Sequence, residues 1–259
     1  MILDLVDMNA WMGYLLVMVR MMGAMSLFPF LTWMGTPAML RVGISVIMAL
    51  LVFVSMGEEL FYQGEMGLHA WAAIINEGLT GLTLGFLIYL FFSMFMWAGS
   101  MVDLKAALMM SGEFDPYLGS QVTIWGRFYY LMALVFYLMI DGHHHLFRGL
   151  TGSFHYIPLG TGLFVPEQAE TVFEVFSQMF ILAFQIGAPV ILILMLIDIS
   201  LGLIGKTVPQ VHIFILGLPL KVVMSMFLLA LLMPLLLGAF EGLMERFLDF
   251  YYTFIMEWT

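Results

Sequence analysis

The densest set of groups able to bind metal or move protons is the run Asp141, His143, His144 and His145. Helical zinc sites use ligands that share one face, as in HExxH, and that spacing does not occur here. Successive helical residues point about 100° apart, so three consecutive histidines do not converge on one ion. The expectation is a polar histidine cluster at a membrane edge, with no metal. Asp103, Glu113 and Asp115 are the other candidate acids, but Asp115 precedes Pro116 and reads as turn chemistry. Ser100 and Ser120 each follow a glycine without completing a GxSxG elbow. A GxxxxGK[ST] phosphate loop is missing. Cysteine is absent as well, and with it a thiolate nucleophile or a disulfide framework. No catalytic set assembles, so the chain is expected to be no enzyme and to need no cofactor.

The elements that position these groups are apolar. Of 259 residues, 63% are hydrophobic and 10% charged, against about 25% charged in a soluble domain. The mean hydropathy of +1.04 is that of an integral membrane protein. Only helices and closed barrels satisfy the backbone in lipid, and the apolar runs far exceed a barrel strand of about 10 residues. The fold class is therefore all-α. A net charge of −10 argues against nucleic acid. Arg20 is the first basic residue, so a basic signal-peptide n-region is missing and the first apolar stretch is expected to remain in the mature protein.

Six apolar segments stand out, at 11–33, 41–56, 71–101, 124–140, 172–200 and 211–240. A span needs about 20 residues; the second and fourth are short, and the third, fifth and sixth are long. Pro189 interrupts the fifth, and Pro219 and Pro234 the sixth. Each removes a backbone donor that neighbouring helices must compensate. Arg20, Asp198 and Lys221 bring charge into apolar surroundings, which costs about 2.5–3.5 kcal/mol at a span centre. With Arg41 they are expected to pair inside protein or face water. Gly78, Gly81 and Gly85 share one helix face and allow close packing. Gln178 and Gln185, also on one face, suggest a hydrogen-bonded seam in which Gln185 is buried. Arg41, Lys105 and Lys206 lie in alternate connections, favouring both termini outside under the positive-inside rule. The long connection at 141–170 is glycine-rich, with a short helix expected near 143–150.

The stretch 107–121 differs from a plain connection. Gly112, Pro116 and Gly119 break any helix, yet Met109, Met110, Phe114 and Tyr117 give it an apolar face. Such a loop is expected to pack into something. The 26 methionines suit surfaces that must repack, although ordinary core filling accounts for most of them.

The runs PAMLRVGIS, AGSMVDLKAALMMSGEFDP, DGHHHLFRGL, IPLG and LIGKTVPQVHIFILGLPLK occur in this order from residue 37 to 221. Together they resemble the FliR family of flagellar type III export-gate proteins, whose virulence counterpart is the SctT family. The resemblance implies a pore and gate subunit that works with FliP, FliQ and an FlhB-like protein to pass unfolded flagellar proteins. It implies a FliP-like part at 1–171 followed by a FliQ-like hairpin at 172–259, hinged near 202–209. It also implies that a loop at about 108–122 plugs the closed channel, with Met109, Met110, Gly112, Phe114, Asp115, Pro116, Tyr117 and Gly119 as its plug and gating residues. The implied location is the bacterial inner membrane at the flagellar basal body, in contact with lipid and projecting to the periplasmic side. Where relatives tend to have Gln and Gly ahead of the loop, this chain has Lys105 and Ala107. A stiffer approach to the loop and a pair between Lys105 and either Asp103 or an acid of a partner are the corresponding expectations. The alternative is a six-helix small-molecule secondary transporter or channel, with Arg20 and Lys221 as midplane charges.

Overall fold

The computed structural model describes residues 8–32, 36–64, 67–108, 123–162, 166–207 and 213–258. Among these the fold is helical: α1 (Met8–Ser26), α2 (Pro29–Thr32), α3 (Ala38–Met56), α4 (Leu68–Lys105), α5 (Ile124–Met139), α6 (Gly142–Tyr156), α7 (Pro166–Thr207) and α8 (Ile213–Met256). A short 3₁₀ turn, Gly57–Leu60, follows α3.

The helices depart from the apolar segments where apolarity and helix-breaking chemistry compete. Apolar sequence continues past Ser26, but Pro29 has no amide to donate into a preceding turn, so α1 stops and Pro29 opens α2. In the opposite sense, α8 outlasts its apolar segment and runs to Met256. Glu241, Glu245 and Asp249 are exposed there, while Met244, Phe247 and Tyr251 are buried, an amphipathic pattern that hydropathy alone undervalues. The helix expected near 143–150 is longer, covering Gly142–Tyr156. Pro189 lies within α7, and Pro219 and Pro234 within α8.

Among the described residues four helical stretches are long and apolar enough to cross a membrane: Ala38–Leu60, Leu68–Lys105, Gln168–Thr207 and Gly217–Met256, or five spans if α5 and α6 form one broken span. Their burial separates them. The most apolar window of α4 is 67% buried, against 17% for those of α3 and α8 and 28% for that of α7. Helix α4 is thus a core element of this chain, and the other three present apolar surface outward.

The chain divides into two compact units that interleave in sequence. One comprises Met1–Phe91, Ile140–Phe176 and Arg246–Thr259; the other comprises Phe92–Met139 and Ser177–Glu245. In the first, α1 lies backbone to backbone on α4: a Cβ added at Gly81 would stand 2.1 Å from the Arg20 carbonyl oxygen, and one at Gly85 would stand 2.5 Å from that of Ala24. Gly78 is looser, with only a Val19 methyl near its added Cβ. Phe91 stacks on Phe247 with centroids 4.4 Å apart, and Phe28 on Phe147 at 5.4 Å. In the second unit, Phe240 sits between Phe95 and Phe136 at 5.3 and 5.7 Å. There Phe92 meets Tyr137 edge-on at 5.1 Å.

Candidate functional site

In the second unit the two helices that flank the 109–122 segment are tied together at its base. Asp103, in the last turn of α4, is fully buried. Its Oδ1 and Oδ2 accept the Trp125 amide at 3.1 and 3.0 Å, and Oδ2 accepts the Gly126 amide at 3.2 Å. The first amides of any helix lack intrahelical partners, and the amino end carries partial positive charge. Asp103 therefore serves α5 as an N-terminal cap supplied by another helix. Backbone approach makes this reach possible: a Cβ at Gly99 would stand 2.3 Å from the Trp125 carbonyl. The Trp125 indole Nε1 donates to Ser225 Oγ of α8 at 3.3 Å, which secures the same turn from a third helix.

On the α4 side, Ala107 occupies the left-handed region at φ 60° just after the helix ends. This is the helix-terminating conformation that glycine adopts without penalty; an L-residue in it carries about 1–2 kcal/mol of strain. Lys105 makes no ion pair with Asp103, whose oxygens are committed to the α5 amides. The residues expected to plug and gate, Met109, Met110, Gly112, Phe114, Asp115, Pro116, Tyr117 and Gly119, lie outside the described residues.

The first unit holds a buried charge network. Arg20 of α1 and Glu77 of α4 are both completely buried and meet in a bidentate pair, Nε to Oε2 at 2.5 Å and Nη2 to Oε1 at 2.9 Å. Arg20 Nη2 also donates to the Ile157 carbonyl at 2.9 Å, and Nη1 to the Ser153 carbonyl and Oγ at 3.2 Å. Glu77 Oε1 accepts the Gly160 amide at 2.8 Å. The guanidinium carbon lies 4.3 Å from the centroid of the Phe154 ring. One ion pair thus fastens α1, α4, the end of α6 and the turn after it. Sequence reasoning singled out Arg20 but passed over Glu77, although an acid inside so apolar a segment was the available signal.

Of the remaining candidates, Lys221 Nζ of α8 pairs with Asp198 Oδ1 of α7, their side chains 17% and 40% exposed. Arg41 is half-buried; its Nη2 donates to the Thr36 carbonyl at 3.5 Å, and its Nε is buried with no hydrogen-bond partner. Gln185 is exposed on α7, as is Gln178, so within this chain neither forms a buried seam. The physical reason is that α7 turns this face outward, among exposed Phe180, Ile181 and Phe184. The histidine run divides: Asp141, His143 and His144 bring donor atoms within 4.8 Å of one another, whereas His145 is not part of the group.

A family model described as bacterial export proteins, family 1, matches residues 11–247. Three similar proteins each bear the description "Flagellar biosynthetic protein FliR". That of Bacillus subtilis strain 168 is 33% identical over 227 residues, covering 86% of this chain and 87% of the relative. The protein of Pectobacterium carotovorum is 28% identical over 176 residues, or 68% of this chain and 67% of its own. Escherichia coli K12 has one that is 23% identical over 252 residues, 96% of this chain and 95% of the relative.

Proposed function

The chain belongs to family 1 of the bacterial export proteins, the family of the flagellar biosynthetic FliR proteins, and from that premise we propose that it is a gate subunit of the flagellar export channel. As a component of the export apparatus its helices build a passage together with FliP-like and FliQ-like subunits, beside an FlhB-like protein, in the bacterial inner membrane. In this reading residues 1–171 correspond to a FliP-like part and 172–259 to a FliQ-like hairpin. The segment at about 108–122 plugs the closed passage, through Met109, Met110, Phe114 and Tyr117, and bends at Gly112, Asp115–Pro116 and Gly119. Arg20, Arg41, Gln185, Asp198 and Lys221 serve assembly.

The observation that carries this reading is the base of the loop. Asp103 binds the α5 amides and Gly99 permits contact of the two backbones, which fixes the two points where a plugging segment would have to begin and end. The outward apolar faces of α3, α7 and α8 fit helices awaiting protein partners as well as lipid. A small-molecule transporter needs uncommitted polar groups at midplane. Here Arg20 is consumed by Glu77 and Lys221 by Asp198, which favours the export reading.

Co-purification tests it. Tagged chain produced with FliP-like and FliQ-like subunits is expected to elute as one complex, and alone to be poorly extracted or aggregated. A stable monomer that gains nothing from co-expression contradicts the proposal.

A further inference from the structure

Asp141 occupies the left-handed region (φ 55°, ψ 25°) immediately before α6, a conformation that Asp tolerates better than most residues. A continuous helix would place residues 141 and 144 on one face and turn 143 away from it. Here a left-handed Asp141 precedes the helix, and one donor atom each from Asp141, His143 and His144 falls within 4.8 Å of the others. The distance from His144 Nδ1 to Asp141 Oδ1 is 3.6 Å. That is too long for a hydrogen bond. It is close to the roughly 3.4 Å that separates two ligands bound about 2.0–2.1 Å from one tetrahedral zinc. The rings of His143 and His144 lie 4.1 Å apart at 37°, so both imidazoles border the same space as the carboxylate.

We propose that Asp141, His143 and His144 hold one divalent transition-metal ion of the zinc type at the amino end of α6. Two imidazoles and a carboxylate are borderline donors that select zinc, nickel or copper over calcium and magnesium, which require mostly oxygen. Asp141 and His144 are exposed and His143 is half-buried, so water completes the coordination and the ion exchanges with solution. Its structural effect is local: it joins the residue before the helix to the first turn of α6 and fixes the corner there. Three adjacent histidines still do not converge on one ion: His145 takes no part, and the left-handed Asp141 replaces it.

The test is zinc titration of the full-length chain co-purified in detergent with its FliP-like and FliQ-like partners, all carrying no polyhistidine tag, against a chromophoric chelator, with cobalt as a spectroscopic probe. His143→Ala/His144→Ala is expected to lose one equivalent of zinc. Asp141→Gly keeps the left-handed turn and is expected to weaken that equivalent at least about tenfold, since even groups that merely orient ligands are worth 10–100-fold. His145→Ala is expected to bind as wild type does, and its helical content and elution profile provide the folding reference. The proposal is overturned if the double variant retains all of its zinc, or if His145→Ala loses as much as His144→Ala.

Discussion

The Asp103 carboxylate and the Trp125 backbone amide meet at 3.0 and 3.1 Å although 22 positions separate them. The described residues on either side of positions 109–122 are therefore joined by a helix cap rather than by a salt bridge. Capping bonds of this kind are worth about 0.5–2 kcal/mol, and more when loss of the acceptor strands buried amides. Asp103→Ala is expected to destabilise the chain by about 2 kcal/mol and to speed proteolysis within 109–122. Asp103→Asn, which keeps one acceptor oxygen, is expected to fall between the two. Unchanged cleavage in Asp103→Ala would show that the cap does not hold the base.

Gly99 provides an independent probe of the same join. Its missing Cβ is what lets α4 reach the Trp125 carbonyl. Gly99→Ala forces backbone apart rather than a flexible side chain, a form of overpacking that costs about 1–3 kcal/mol. The expected result is a lower melting temperature together with the proteolytic signature of Asp103→Ala. A wild-type melting curve would refute the close approach.

Ala107 makes the opposite prediction, a gain. Its left-handed backbone at φ 60° is strained for alanine and free for glycine. Ala107→Gly is expected to stabilise by up to about 1 kcal/mol, the relief of strain exceeding glycine's entropic cost. Ala107→Val, β-branched, is expected to destabilise. Chemical denaturation in detergent distinguishes the signs, and destabilisation by Ala107→Gly would contradict the assigned backbone.

Arg20 and Glu77 follow the rule for buried pairs. Removing one partner leaves an uncompensated buried charge and costs about 3–5 kcal/mol. Arg20→Leu and Glu77→Leu are each expected to lose that much, and the double variant clearly less than the sum. Additive losses in a double-mutant cycle would show that the two do not act as a pair.

Much of the architecture was legible in the sequence, for identifiable reasons. Apolar runs too long for strands required helices, and those helices are present from α1 to α8. Pattern located Arg20, Lys221 and the glycines at 81 and 85, because charge or small size inside an apolar run is conspicuous. Their partners were another matter. Glu77 lies 57 positions from Arg20, and Trp125 lies 22 from Asp103; no period or propensity connects positions so distant. Ala107 and Asp141 carry left-handed backbones that no glycine announced, so the end of α4 and the grouping of Asp141 with His143 and His144 became visible only in three dimensions. Gln185 shows another limit: a helix face identifies neighbours along α7 without saying whether that face turns toward this chain or outward, as it does here.

If the segment between Asp103 and Trp125 closes a passage, removing it opens one, and ion leak reads that change. Cells assembling the export complex with residues 112–119 deleted, and with Asp103 and Trp125 intact, are expected to yield wild-type amounts of complex and to admit small solutes faster than wild type. Wild-type yield with wild-type permeability would contradict a closing role for this segment.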